Sequence, residues 1–545
     1  MQEKFEADIL VVGSGAAAFS AAVAARAQGA SVIILEKGSS VGGTTIRSGG
    51  GSWIPNNRFQ KELGIADNKM DALRYMARYS YPHLYTSRDT HLGLPENEYD
   101  LIETFYDTAA EMLAFHEKNN SLHNILQINW TGRPAVDYQD HLPENKGIRG
   151  RMVFPKNPEG KLSYGFEMIR QFQEWCKEQD VPILLNHRAV HILQNSKKEV
   201  TGLEVLVDGK EIRTFRARKA VIFGSGGYSH NPELMLHFQR GPHFGGCSAP
   251  TNTGDLVAMA GEIGGKLGNM AGAFRAQSIF EKVLANPGGS NNVFYVAGDS
   301  MLEVNKYGKR FVNEKRNYTD RAMTHFIWDP QNAEWTNMLV FLIFDQRTAT
   351  LWQGFPPYPK QGDLPAHIMT AANLDELAAA IDARLASLAE RTGGFTLDAG
   401  FAGNLKDTIT RFNEFAHNGK DKDFHRGDTD YDKEWTSFPP TVPGETWPPQ
   451  GSKNHSMYPL SETGPYYAII LAAGTLDTNG GPIINPQAQI LHISGKPIPG
   501  LYGAGNCIAS PTANAYWGGG STIGPGMTFG YIAGLNAVQE PVKEY

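Results

Sequence analysis

The stretch from Asp8 to Ala18, DILVVGSGAAA, constrains the fold more than any other part of the chain. An apolar run meets glycines and continues into an alanine-rich segment, and the next apolar run, Ile33 to Leu35, ends on Glu36. The pattern predicts a strand, a tight turn, a helix and a second strand, the unit that grips a dinucleotide. Gly13 permits the turn. Gly15 lets the backbone approach a pyrophosphate, and Ala18 replaces a third glycine while still allowing close helix–strand packing. Phosphates face the helix N-terminus, where Ala17 also lies, and Glu36 is placed to accept from a ribose hydroxyl. A glycine turn in an ordinary β-α-β unit is the competing reading. The agreement of strand, helix and acid, 21 positions apart from Gly15 to Glu36 (36 − 15), argues against it.

The 545 residues exceed one compact core, so two or more domains are expected. Net charge is −7 with no basic stripe, which excludes nucleic acid as an expected partner. Cys176, Cys247 and Cys507 are widely spaced. They suit neither a metal site nor a disulfide framework, and they point to a reducing, cytoplasmic setting. The apolar runs 338–344 and 468–473 are too short to span a membrane. The first strand begins by Asp8, which leaves no room for a signal peptide.

Residues 41–55 hold Gly42, Gly43, Thr44, Thr45, Ser48, Gly49 and Gly50 ahead of Trp53. Such a loop lets backbone lie against a flat ligand. Residues 68–118 and 165–176 carry helical spacing, and 183–186, 189–193 and 219–228 read as strands, the last ending in Gly226 and Gly227. Residues 250–261 read as a loop and a helix, with Thr253 or Asp255 as cap. From 286 to 455 the texture becomes irregular, with one clear helix at 374–390. The stretch 424–460 reads as a long structured loop, a lid or binding element. Regularity returns with the glycine turn at Gly505 and Asn506. A glycine loop carrying Ser521, Thr522 and Ile523 then opens a helix to about 538.

Together these motifs resemble the fumarate reductase/succinate dehydrogenase flavoprotein superfamily. The resemblance implies an α/β protein: a split Rossmann-like FAD-binding domain (1–285 and 456–545) with an inserted α+β catalytic domain (286–455). It implies non-covalent FAD, since no histidine lies in 42–51 for a flavin linkage. It also adds Lys37 and Val190 to the cofactor contacts. That superfamily's dicarboxylate enzymes use arginine and histidine near the flavin; here the matching stretches, 473–481 and 513–520, carry neither. A dicarboxylate there would be a buried, unpaired charge, so a neutral, apolar substrate is expected.

The stretches 516–531, 464–468, 52–57 and 305–318 instead resemble the 3-ketosteroid dehydrogenases and their cyclic-ketone relatives, which desaturate the Cα–Cβ bond beside a ketone. The resemblance implies that Tyr516 and the Gly520 N–H bind the carbonyl, that Tyr318 removes the α-proton, and that Tyr138 supports it. Trp53, Tyr466, Tyr467 and Trp517 are expected to line the substrate pocket, with Tyr466 and Tyr467 also readable as strand residues facing opposite ways. An external acceptor, quinone-like, is expected to take the electrons, and a homo-oligomer is compatible with the chain. Proton removal beside a ketone needs a dry pair of donors on the oxygen and a base with a lowered pKa, which a second tyrosine and positive potential near Tyr318 would supply. A core role for Tyr318 among 21 tyrosines is the rival reading. An enoate reductase of the same fold would need Arg310 or Arg316 in a carboxylate pocket. A non-enzymatic flavoprotein would need no proton-abstracting residue.

Overall fold

A computed structural model describes residues 5–289 and 291–544. Strand β1 (Phe5–Val12) pairs in parallel with β2 (Val32–Leu35), and helix α1 (Ala16–Ala27) joins them. On its other side β1 pairs in parallel with the strand Glu211–Phe223, which in turn takes Pro497–Gly503. One sheet therefore draws on both ends of the chain. Its central stretches, Ile9–Val12 and Ala220–Phe223, are buried and read as unbroken apolar runs. Helix α1 packs on the C-terminal helix Ile523–Gln539 across small residues. A Cβ at Gly530 would meet the Ala17 carbonyl oxygen at 2.2 Å, so this crossing is closer than any larger side chain permits.

A second, antiparallel sheet is built on the strand Tyr466–Thr478, flanked by Ala273–Ile279 and Leu339–Asp345. Its middle strands are buried, which explains the two apolar runs 338–344 and 468–473. Helices Leu374–Ser387 and Phe401–Asn418 cover one face. The second of these was not anticipated, although Phe401, Leu405, Ile409, Phe412 and Phe415 sit at helical spacing. The helical run expected over 68–118 is two helices, Lys69–Ser80 and Glu96–Lys118. They are separated by a turn in which Leu92 and Gly93 take positive φ (54° and 80°) and Pro95 restarts the helix. The cap of Asp255–Glu262 is Gly254, at φ 72°, rather than the side chain of Thr253 or Asp255. No helix among the described residues is long and apolar enough to cross a membrane.

Candidate active site

A cleft opens at the C-terminal ends of the parallel strands, where the β1 turn meets the N-termini of α1 and of the C-terminal helix. Gly13 is at φ 102°, and a Cβ there would come within 2.5 Å of the Gly224 carbonyl oxygen, so only glycine fits. Gly15, Ala17, Glu36, Lys37, Gly43, Thr44, Thr45, Gly226, Asp255, Gly505, Asn506, Thr522 and Ile523 also line the cleft. Glu36 is buried at its end and accepts from Ser14 Oγ at 2.6 Å.

Other expected contacts sit one layer back. Ala18 packs on Gly224. Gly42 and Gly227 donate their N–H groups to Ser14 Oγ and Asp477, and Ser48 and Ser521 hydroxyls donate to the Thr45 and Gly518 carbonyls. Gly49 and Gly50 do not line the cleft, and Gly50 backs onto Gly165. Val190 gives way to His187 and Ala189, because alternate residues of its strand face the cleft. Asp255 is engaged by Lys37 at 2.9 Å and Arg188 at 2.8 Å, which with a Thr253 hydrogen bond hold it ready-made on the cleft wall.

Asp477 was missed. It lines the cleft and is 1% exposed. It accepts from Gly227 N, Asn252 Nδ2, Asn506 Nδ2, Ser229 Oγ and Thr478 N at 2.6–3.2 Å. It ties together the glycine turn after Glu211–Phe223, the 252 loop and the 506 turn. Its signal in the sequence was an acid between glycines at 474–481, read there only for the histidine it lacks.

Beyond the cleft, three distant segments bring tyrosines together. Tyr318 opens the helix Tyr318–Met323, which Asn317 caps. Tyr138 and Tyr516 lie on loops joined by the Tyr138 N–H donating to the Trp517 carbonyl at 3.1 Å. The Tyr138 hydroxyl donates to that of Tyr318 at 3.2 Å. The ring of Tyr516 stacks on Tyr138 at 5.5 Å and meets Tyr318 edge-on at 5.4 Å. Gly520 lies at φ 97°, where a Cβ would be 2.4 Å from the Gly51 carbonyl oxygen.

Burial pushes the Tyr516 hydroxyl up, while the Thr522 and Tyr318 hydroxyls and the Gly520 N–H pull it back. The Gly520 N–H and the Tyr516 hydroxyl thus converge, beside Thr522 of the cleft. Burial also holds the Tyr318 hydroxyl well above the ordinary phenol range, Tyr516 and Tyr295 add to it, and Tyr138 opposes it. After burial, the neighbours that act on it most are tyrosines.

The four residues assigned to the substrate pocket are placed differently. Trp53 and Trp517 are wholly buried in the core around α1, their indole N–H groups donating to Asp137 at 2.7 Å and Ser80 at 2.9 Å. They shape the loops that carry Tyr516 and Gly520. Tyr466 and Tyr467 point to opposite faces of the second sheet, bonded to Ser461 O and Gln346 Oε1, and neither joins the tyrosine cluster. The cluster is walled instead by Phe274, Phe294, Tyr295, Tyr431 and Trp435. The last two come from a π-helical turn, Tyr431–Trp435, inside the 424–460 stretch. Arg149 fastens that turn by pairing with Glu434 at 2.7 Å and also binding Asp430. Arg310 is taken up by Glu314 and Asp421, and Arg316 by Asp432, each within 2.9 Å.

A family model described as "FAD binding domain" matches residues 8–523. A 4-oxocyclohexanecarboxylate 2-dehydrogenase of Sinomonas cyclohexanicum is 30% identical, over 97% of this chain and 92% of its own. A 3-oxosteroid 1-dehydrogenase of Mycolicibacterium smegmatis is also 30% identical, over 97% of both. The structure of 3-ketosteroid delta1-dehydrogenase from Sterolibacterium denitrificans, in complex with 1,4-androstadiene-3,17-dione, superposes with a TM-score of 0.81 at 25% identity, covering 98% of this chain and 100% of that one. A probable fumarate reductase of Shewanella frigidimarina is more distant, at 26% identity. The glycine cradle, the helix N-termini and the buried acid at the ribose end fit FAD, and the chain belongs to the FAD binding domain family, in the branch of the ketosteroid and cyclic-ketone dehydrogenases, as an FAD-dependent oxidoreductase.

Proposed function

We propose that this oxidoreductase desaturates the Cα–Cβ bond next to the ketone of a cyclic substrate, a 3-ketosteroid or a smaller ring. The observation that carries the reading is the convergence of the Tyr318, Tyr516 and Tyr138 side chains with the Gly520 N–H beside the cofactor cleft. The Tyr516 hydroxyl and the Gly520 N–H hold the ketone oxygen, where negative charge develops as the α-proton leaves. Such donors act most strongly where water is excluded, and the aromatic walls exclude it. Tyr318 receives the α-proton at its oxygen, and Tyr138 donates to that oxygen while it is anionic. FAD, when bound, supplies the acceptor for the β-hydride. An external, quinone-like molecule then takes the electrons. With Arg310 and Arg316 both matched by acids, neither offers the free cation that a dicarboxylate reductase of this fold would need.

The test is anaerobic mixing of the FAD-loaded protein with a 3-ketosteroid, cyclohexanone and succinate, following the visible flavin band. Bleaching by a ketone, lost in Tyr318→Phe and Tyr516→Phe, is expected, and the faster ketone fixes ring size. No bleaching by any ketone, with fumarate reoxidising the dithionite-reduced protein, would overturn the reading.

A further inference from the structure

Helix Lys69–Ser80 lies outside the cofactor cleft and outside the tyrosine cluster, and takes no part in the chemistry proposed above. Its last turns nevertheless reach all three segments that carry the tyrosines. Tyr75 and Tyr79, four residues apart, share one face, with ring centres 6.3 Å apart. The buried Tyr75 hydroxyl donates to the Trp517 carbonyl at 2.5 Å and accepts the Gln139 N–H at 3.2 Å. Ser80 Oγ accepts the Trp517 indole N–H at 2.9 Å. Trp517 directly follows Tyr516, and Gln139 directly follows Tyr138. The Tyr79 hydroxyl donates to Asp320, 2.8 Å from each carboxylate oxygen. Asp320 lies on the helix Tyr318–Met323, two residues beyond Tyr318.

Asp320 joins the segments to one another as well as to the helix. Its carboxylate also accepts from the Gln139 side-chain amide and, at 2.7 Å, from Asn317 Nδ2. Its own N–H donates to Asn317 Oδ1 at 3.0 Å. Tyr318 is therefore fastened from both sides, through Asn317 before it and Asp320 after it. The acid that fastens it also grips the residue next to Tyr138. Several donors on one carboxylate fix direction as well as distance. The Tyr138 and Tyr318 hydroxyls, by contrast, are joined by one bond of 3.2 Å. A single neutral hydrogen bond is too weak to hold two distant stretches of chain in register. The frame behind the tyrosines does that.

Building on the desaturation reading, we propose that Tyr79, Asp320 and Gln139 form a positioning junction that sets Tyr318 against Tyr138, and that Tyr75 ties the Tyr516 loop to the same helix. The α-proton still goes to the Tyr318 oxygen and the β-hydride to the flavin; the junction carries neither. All four are positioning residues, acting on the substrate only through the tyrosines they place.

Tyr79→Phe keeps the ring beside Tyr75 and removes only the hydroxyl that Asp320 accepts. In the FAD-loaded protein, flavin reduction by the best ketone of the panel is expected to slow about ten- to a hundredfold, the cost of a base displaced by about an ångström. KM, flavin content and melting point should stay near wild type, a split that a merely structural role would not give. Asp320→Asn keeps one acceptor oxygen and should recover part of what Asp320→Ala loses. Tyr79→Phe combined with Gln139→Met should fall little below the worse single variant, since both act through Asp320. Amide hydrogen exchange reads the junction without turnover: in Tyr79→Phe, peptides spanning 136–142 and 316–323 should exchange faster, and those of β1 should not. Tyr79→Phe at the wild-type rate overturns the junction, and leaves desaturation standing if Tyr318→Phe is still slow. A loss carried by KM or by the melting point rather than by kcat, in Tyr79→Phe and Asp320→Asn alike, overturns it too. If no ketone reduces wild type, desaturation fails by itself and exchange alone decides: faster exchange confined to the two peptides upholds the junction, and unchanged exchange overturns it.

Discussion

Tyr516→Phe separates the role of a hydroxyl from that of a ring. The ring stacks on Tyr138 at 5.5 Å and meets Phe274 edge-on at 5.2 Å and Tyr318 at 5.4 Å. Phenylalanine keeps all three contacts. The hydroxyl bonds no backbone carbonyl; its neighbours are Thr522, Tyr318 and the Gly520 N–H. Folding stability should therefore change by less than about 1 kcal/mol, the range for a hydroxyl whose loss strands no strong partner. Catalysis should change far more. One of two donors aimed at a developing oxyanion in a dry site is worth about 3 kcal/mol, or roughly a hundred- to a thousandfold in rate. The donor strengthens its bond as charge builds, so the loss should fall on kcat, with KM nearly unchanged. Stopped-flow bleaching of the flavin by a saturating ketone measures the catalytic loss and thermal melting the change in stability. A rate within tenfold of wild type, or a loss confined to KM, would refute the placement of Tyr516 on the carbonyl oxygen. A melting point far below wild type would refute the claim that its ring alone supports the fold.

Gly13→Ala is expected to purify without flavin, because its Cβ would sit 2.5 Å from the Gly224 carbonyl oxygen at φ 102°; the flavin-to-protein absorbance ratio checks this. Asp477→Ala removes the acceptor of five donors across three loops of the cleft, so FAD retention on dilution should fall while the melting point of the flavin-free protein drops by less. Arg151 is 1% exposed and pairs with Asp67 at 2.6 Å and Asp137 at 2.5 Å. Arg151→Met strands two buried carboxylates and should cost about 3–5 kcal/mol in urea unfolding, and adding Asp67→Asn and Asp137→Asn should recover part of it. Tyr75, Tyr79, Tyr138, Tyr318 and Tyr431 are each held by burial well above the ordinary phenol range. Below the unfolded value near 10 both states are protonated and nothing is lost. Above it the unfolded chain releases protons that the folded one keeps, so stability should fall by roughly 1.4 kcal/mol per pH unit for each group. Alkaline unfolding followed by circular dichroism should thus be steep, and a shallow transition would contradict the shared burial.

Legibility in the sequence followed the range of the interactions. The turn at Gly13, the helix behind it and Glu36 are local, and their spacing carries them. Tyr318, Tyr138 and Tyr516 were reachable only through family resemblance, since nothing in a single sequence brings positions 138, 318 and 516 together. Trp53 and Trp517 were misplaced for a related reason. Aromatics beside glycine loops suit a ligand wall, but here the glycines let the loops close on a core, and the indoles fill it while bonding Asp137 and Ser80. The arginines and the lysine close to Tyr318 in sequence have carboxylates and carbonyls as partners, some from far along the chain, such as Asp432 and Asp421. Those same distant partners give the 424–460 stretch its purpose. Arg149 and Arg316 fasten it at Glu434 and Asp432, and on either side of those two anchors it sets Tyr431 and Trp435 on the tyrosines. Loosening one anchor therefore tests the stretch as a working wall: Arg149→Ala should leave FAD bound, since the cleft does not touch this turn. It should also raise KM for the ketone as water enters the cluster. An unchanged KM would mean that the wall does not shape the site.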